Sequence, residues 1–187
     1  MHSALERLSL WLAQAMEEGR AALSALRNST TQRNDLAEAL RNAADDCLLS
    51  CTMTCTLKVE GNPRDVHSSI RDDVYLIGYE AIRNACTHAG GSRLDVELSY
   101  LRDLTLRVRD NGRGIDPEVL ANGKDGHFGI KGIRERAERV GARLNLQSSS
   151  AGTEIELIVP GRLAFRQRQH ALPSSLTKLK RFFRLNQ

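Results

Sequence analysis

Residues 107–116 read "RVRDNGRGID" and close a stretch in which apolar and polar residues alternate. Leu104, Leu106 and Val108 fall on one side, and Thr105, Arg107 and Arg109 on the other, which is the period of a half-buried strand. That strand delivers Asp110 at its end, with Gly112 and Gly114 just beyond. Glycines two positions apart permit a sharp turn or a close approach of the backbone to another group. For "DNG" by itself a plain turn is the better reading, so the neighbouring segments must decide.

Before this strand, Leu94, Val96, Leu98 and Tyr100 alternate with Arg93, Asp95, Glu97 and Ser99, so 94–109 reads as an antiparallel hairpin. Further back lies a long helix, roughly 66–89, with Val66, Ile70, Val74, Ile77, Ala81, Ile82 and Ala85 as its buried face and Gly90-Gly91 as its stop. "GNPRD" (61–65) is a turn, and "CTMTCTLKVE" (51–60) alternates as a strand. Asn34 or Asp35 can cap a helix through Leu36, Leu40 and Ala44. Residues 4–27 read as one helix whose seam (Leu5, Leu8, Leu12, Ala15, Gly19, Ala22, Leu26) suits a coiled coil or helical hairpin.

After Gly114 the chain is loop-like to 128, and Asp116-Pro117-Glu118 can start a short helical turn. A helix is predicted from about Gly129 to Val140, with Ile130, Ile133, Ala137 and Val140 inward and Gly141 as its end. A strand around Leu144 and Leu146, the turn "SSSAG" and the strand "TEIELIVP" follow. This order predicts an α+β protein, a two-layer α/β sandwich with a mixed, mostly antiparallel sheet and helices on one face, preceded by a long helix. The expected division is 1–30, the leading helix; 31–161, the main domain; and 162–187, a basic tail.

With 187 residues, 41% hydrophobic and 27% charged, the composition is that of a soluble globular protein. No apolar run reaches membrane-spanning length, and the start lacks a signal peptide's apolar stretch, which predicts a cytoplasmic location. Cys47, Cys51, Cys55 and Cys86 form no disulfide framework, and no CxxC pair or nearby His suggests a metal. Buried strand cysteines in a reducing compartment are expected instead. Residues 162–187 hold seven of the 27 Lys and Arg and none of the 23 acids, so residues 1–161 are net acidic, 20 basic against 23 acidic. The basicity thus belongs to the tail, and no specific nucleic-acid partner is expected. A solvated tail is the simpler reading beside contact with a membrane, a nucleic acid or an acidic partner.

Three segments carry polar chemistry. The long helix places Glu80, Asn84 and His88 at steps of four, one stripe beside its buried face. Asp110 can accept from an exocyclic amine such as that of adenine, Gly112 and Gly114 admit a flat base, and Ile115 can pack on it. "GKDGHFGIKGIRERA" (123–137) offers a flexible lid with Gly126 and Gly129. Gly129 opens a helix whose free N–H groups suit an anion, with Lys124, His127, Lys131 and Arg134 nearby. Neither a Walker A sequence nor a G-x-G-x-x-G after a strand is present.

"YEAIRNACTHAG", "DNGRGI", "GHFGIKGIRERA" and "SAGTEIELIVP", in this order, resemble the N, G1 and G2 boxes and the Gly-Thr strand of sensor histidine kinases. The subgroup is the one that feeds response regulators with a helix-turn-helix output domain, and the fold is that of the GHKL ATPases. The resemblance covers about 65–160 strongly and 10–64 more loosely. It implies ATP and Mg²⁺ as ligands, with Asn84 binding the metal and Glu80 orienting a metal-bound water or acting as base. It further implies His88 near the phosphates, Asp110 on the adenine amine, and Gly112 and Gly114 shaping the base pocket with Ile115. Gly126, Gly129 and Gly132 would belong to the lid and phosphate side, and Thr153 to the adenine-side water network. The lid is short and lacks a clear F box, although Phe128 can serve.

A histidine kinase also needs an acceptor histidine early in a dimerisation helix. His2, His67, His88, His127 and His170 do not fit that place. The leading helix resembles the second helix of the dimerisation hairpin. The resemblance therefore implies the catalytic piece of a membrane-anchored sensor kinase, cut after its acceptor helix. It would transfer the γ-phosphoryl group of ATP to a histidine supplied elsewhere, for relay to a response-regulator aspartate, and would self-associate if the full hairpin were present. The alternatives are a non-catalytic nucleotide-binding module and an anti-sigma-type GHKL serine kinase.

Overall fold

The computed structural model describes residues 19, 35–116 and 128–166. The expectations for the leading helix other than Gly19, for the lid over 117–127 including Gly126, and for the tail after Arg166 lie outside the described residues.

Asp35 caps the first helix, α1 (Leu36–Leu48). Its Oδ1 accepts the N–H of Ala37 at 3.1 Å and of Glu38 at 3.2 Å, satisfying donors that a helix start leaves without intrahelical partners. One face of α1 buries Leu36, Leu40, Ala43 and Ala44. The chain then turns, with Ser50 N donating to Cys47 O and Cys51 N to Leu48 O. The ladder of β1 (Thr54–Glu60) therefore begins three residues later than the alternation starting at Cys51 suggests. Of the four cysteines only Cys55 lies in a strand, and all four are half-buried rather than fully enclosed.

The long helix divides into α2 (Ser68–Asn84) and a single π turn (Ala85–Ala89), ended by Gly90 in the left-handed region at φ 62°. Every residue expected on its buried face is buried, with Val66 standing just ahead of the helix. The remaining elements are β2 (Arg93–Tyr100), β3 (Leu104–Asp110), α3 (Phe128–Arg139), β4 (Arg143–Ser149), β5 (Gly152–Val159) and the short α4 (Gly161–Ala164).

The five strands form one sheet in the order β1-β2-β3-β5-β4. β1 and β2 are parallel, with α2 in the crossover between them, and the other pairs are antiparallel. Leu94, Val96, Leu98, Leu104, Leu106, Val108, Ile155, Leu157 and Val159 point to one buried face. α2 packs there against β3 and is flanked by α1 and α3. A side chain at Gly78 would sit 2.5 Å from Leu40 Cδ2 and 3.0 Å from Leu106 Cδ2, so this glycine lets α2 lie close to both α1 and the sheet. Leu40, Ile77 and Ile82 are wholly enclosed, each contributing roughly 1.5–3 kcal/mol through burial. This is the α+β sandwich with helices on one face that the pattern predicts.

The body continues past Pro160. Ala164 and Phe165 are buried, Val66 and Phe165 form a bridge, and the Arg64 guanidinium lies 3.6 Å from the centre of the Phe165 ring.

Candidate functional site

Strand alternation itself generates the site. The inward row of β3 runs Leu104, Leu106, Val108 and then Asp110. That of β5 begins at Thr153 before Ile155, Leu157 and Val159. That of β4 runs Leu144, Leu146 and then Ser148. Three apolar rows thus end in polar groups at the same end of the sheet, because Ser148 pairs with Thr153 and Arg109 with Glu154. Asp110 is 7% exposed and Thr153 8% exposed, so a carboxylate stands on the floor of an apolar layer. Such a group requires hydrogen-bond compensation. Asp110 Oδ1 accepts the N–H of Gly112 at 2.8 Å and of Thr153 at 3.3 Å, and neither bond uses Oδ2. Ser148 Oγ accepts the N–H of Ile115 at 2.7 Å and lies 3.2 Å from Thr153 Oγ1. Asp110, Gly112, Ile115 and Thr153 therefore meet in one network.

The turn after Asp110 is shaped by neighbours at close range. Arg113 N donates to Ala89 O at 2.9 Å, and a methyl on Gly112 would strike that same carbonyl. Gly114 adopts φ 75°, and a side chain there would meet the Ser149 carbonyl. Asn111 Oδ1 accepts from Ser92 N at 2.9 Å and Arg93 N at 2.8 Å, tying the turn to the start of β2. The π turn contacts both β3 and β5. The C-terminal end of α2 thus stands over the Asp110 end of the sheet.

Glu80 and Asn84 lie on that part of α2, both half-buried. Arg83 clamps the Glu80 carboxylate with Nε to Oε2 at 3.1 Å and Nη2 to Oε1 at 2.6 Å, a two-point geometry that fixes its plane. The Asn84 side chain makes no hydrogen bond to the described residues. Gly129, in the first turn of α3, crosses directly above: a methyl there would collide with Glu80 Oε1 and lie 3.2 Å from Asn84 Nδ2. Glu80, Asn84 and a helix start are therefore brought together. Gly132 is not part of this contact; a methyl there would have the Arg136 guanidinium as its near neighbour, with Nη1 at 2.7 Å. His88 is exposed on the π turn.

Ser148, Arg83 and Asn111 join the site although none of them is singled out from the sequence; Arg83 and Asn111 lie inside the family motifs quoted above and Ser148 outside them. Ser148 has a usable signal, since it continues the Leu144-Leu146 alternation. Arg83 stands at i+3 from Glu80, a spacing common on any helix. A separate hollow of about 650 Å³ lies on the helix-free face of the sheet, lined by Lys58, Glu97, Arg107 and Glu156 among others, and shares no residue with this site.

The donor set fits a nucleotide with a divalent cation. A buried carboxylate with one oxygen satisfied by backbone suits an exocyclic amine, and the Asn84 carboxamide, which lies beside the first turn of α3 and makes no hydrogen bond among the described residues, would suit a hard cation through its oxygen.

Comparisons with known proteins identify the family of the chain. Residues 69–163 match the model of the family described as histidine kinase-, DNA gyrase B-, and HSP90-like ATPase. The chain is 32% identical over 147 residues to the sensor protein VraS of Staphylococcus haemolyticus, covering 76% of this chain and 40% of that protein. Against VraS of Staphylococcus aureus strain COL the identity is also 32% over 147 residues. The chain thus spans 40% of the length of these curated relatives. The histidine kinase domain of the Erythrobacter litoralis EL346 blue-light activated histidine kinase shares the fold, with a TM-score of 0.55 and 24% identity over 67% of this chain and 64% of that one. With the matched segment running from α2 through β5, and the Asp110 and Asn84 arrangement inside it, the chain belongs to the histidine kinase-, DNA gyrase B- and HSP90-like ATPase family.

Proposed function

We propose that this chain is the catalytic region of a sensor histidine kinase, binding Mg-ATP between the Asp110 end of the sheet and the junction of α2 with α3. The observation that carries this reading is the buried Asp110 carboxylate, whose Oδ1 takes two backbone N–H groups and whose other oxygen is left for a ligand amine. Asp110 recognises the adenine amine, and Thr153 and Ser148 extend that hydrogen-bonding edge. Gly112 and Gly114 keep the floor flat, and Ile115 covers the base. Asn84 holds the metal through its side-chain oxygen, and the first turn of α3 at Gly129 presents N–H groups to the phosphates. Bound Mg-ATP supplies the γ-phosphoryl group and the charge neutralisation that its transfer requires. Because Arg83 occupies both oxygens of Glu80, Glu80 serves to orient a water or the incoming imidazole rather than as a freely rotating base. His88 and Gly132 are assigned to the phosphate and lid side, and so is Gly126, which lies outside the described residues.

The acceptor histidine comes from a dimerisation hairpin, whose second helix corresponds to residues 1–30, and the phosphoryl group passes on to a response regulator. The division into 1–30, 31–161 and 162–187, a cytoplasmic position for this region, and a membrane-anchored parent belong to the same reading. Among the described residues no helix is long and apolar enough to cross a membrane.

The test is nucleotide affinity with and without Mg²⁺, followed by phosphoryl transfer to a separately supplied acceptor hairpin. Asp110→Asn is expected to weaken ATP binding by about tenfold or more, the loss of a charge-assisted bond. Asn84→Asp is expected to change the dependence of affinity on Mg²⁺. Unaltered affinity in both variants, or strong self-labelling without the hairpin, would refute the assignment.

A further inference from the structure

The end of the sheet away from Asp110 is built by short segments that touch one another. Leu104 pairs with Tyr100 across the β2–β3 turn and with Val159 of β5, about 20 Å from Asp110 along β3. In that turn Leu101 is 53% exposed, and Arg102 is exposed beside it. Arg64, in the loop after β1, donates from Nη1 to Leu101 O at 3.1 Å while its guanidinium stacks 3.6 Å from the Phe165 ring centre. A methyl on Gly61 would lie 3.3 Å from Leu101 Cδ2, and one on Gly161 would strike the Arg102 carbonyl. α4 thus abuts the same turn. It presents Arg162 and Leu163, and the latter is 37% exposed beside Gly141.

Arg64, Arg102, Arg162 and Arg166 are exposed cations of this end. Two acids among them are already engaged. Asp103 is half-buried and accepts Gly161 N at 2.8 Å, and Asp65 pairs with Arg166 at 3.8 Å. Glu60 and Glu138 remain as exposed carboxylates, the second followed by the exposed Arg139. The described chain ends here at Arg166, and the sequence continues for 21 residues that hold five Lys and Arg and no Asp or Glu.

We propose that this end docks on a membrane, taking the anionic headgroups of a lipid bilayer on its arginines and the acyl boundary on Leu101 and Leu163. Singly exposed leucines are ordinary on a protein surface. Here both stand among arginines, and the Arg64 bridge fixes the turn that carries one of them. The leucines favour a bilayer over a nucleic acid, which would meet the arginines with phosphate but leave the leucines in water. The basic stretch after Arg166 adds a second electrostatic attraction at the same end, and two weak signals together hold a protein at a bilayer where one does not. This goes beyond the nucleotide reading and does not depend on it. The surface lies at the opposite end of the strands, so a bilayer there leaves Asp110 and Asn84 open.

The full chain would be mixed with vesicles of equal parts phosphatidylcholine and phosphatidylglycerol, and with vesicles of phosphatidylcholine alone, and the bound fraction read by flotation. Binding to the mixed vesicles alone, falling as salt rises, is the expected result. Arg102→Glu with Arg162→Glu is expected to weaken it by about tenfold or more. Leu101→Ser with Leu163→Ser is expected to weaken it by about threefold or more. Both pairs should keep the parent's thermal unfolding, since all four residues are exposed; if one pair unfolds, the other decides. Failure to bind the mixed vesicles, or equal binding to the neutral ones, overturns the proposal. So does binding that both pairs leave intact, which would place the attraction in the basic tail alone. Tighter binding to a mixed-sequence DNA duplex at the same salt overturns it in favour of a nucleic acid. None of these measurements uses the nucleotide site, so each stands whether or not the chain binds ATP.

Discussion

Gly112 and Gly132 show how differently two glycines of one motif set are constrained. A methyl at Gly112 meets the Ala89 carbonyl and Cβ, which belong to a packed turn and cannot yield cheaply. Gly112→Ala is expected to cost about 1–3 kcal/mol by overpacking, read from urea unfolding, and to reduce nucleotide affinity with it. At Gly132 the near neighbour is Arg136 Nη1, the end of a flexible side chain that can swing away. Gly132→Ala is expected to be neutral or to stabilise by up to about 1 kcal/mol, because alanine is the better helix former. If the two variants lose equal stability, the packing described around Ala89 is wrong. Asp110 differs from both: its cost of burial is offset by backbone donors, so its substitution by Asn should disturb recognition far more than folding.

Among the elements, α1 is held by its cap and its seam. Asp35→Ala removes the acceptor for two backbone N–H groups and is expected to lower stability by about 0.5–2 kcal/mol, measured by thermal and denaturant unfolding. On the outer face of the sheet, Arg107 joins β2, β3 and β5 through Glu97 at 3.1 Å and Glu156 at 2.6 Å. Hydrogen bonds from Asn145 and then from Arg107 hold the Glu156 carboxyl below its ordinary value of 4.5. A carboxylate held low in the folded state contributes stability that is complete above its unfolded-state value and is lost as pH falls through the folded one. The acid limb of stability, followed by urea unfolding between about pH 3 and 6, should therefore be shallower in Glu156→Gln than in the parent. An identical slope in both would show that this linked pair adds nothing across the sheet.

For the molecule as a whole, the α1 and β1 segments complete the sandwich although the matched family segment starts only at residue 69. Leu36, Leu40, Ala43 and Ala44 are buried against α2, and β1 covers one edge of β2. A shortened chain starting at residue 61 is expected to lose cooperative unfolding, checked by calorimetry, because it exposes that helix face and a hydrogen-bonding strand edge. The local periods of this chain are strong enough to be read without a structure. The alternation over 94–109 marks two strands and their inward faces, and the three-and-four spacing from Ile70 to Ala85 marks the buried side of α2, since burial on one face imposes those periods directly. The DNGRGI stretch likewise marks a strand end with an acceptor and two backbone-permissive positions. Other features depend on residues far apart in the chain. The union of Thr153 and Ser148 with Asp110 arises only when β5 pairs with β3 and β4, and the approach of Gly129 to Glu80 only when α3 packs on α2. The sequence by itself determined the periods, caps and breaks, because these are settled within a few residues. The tertiary structure alone decided which polar groups share a cleft, because that follows from strand order and helix crossing, which no local pattern encodes.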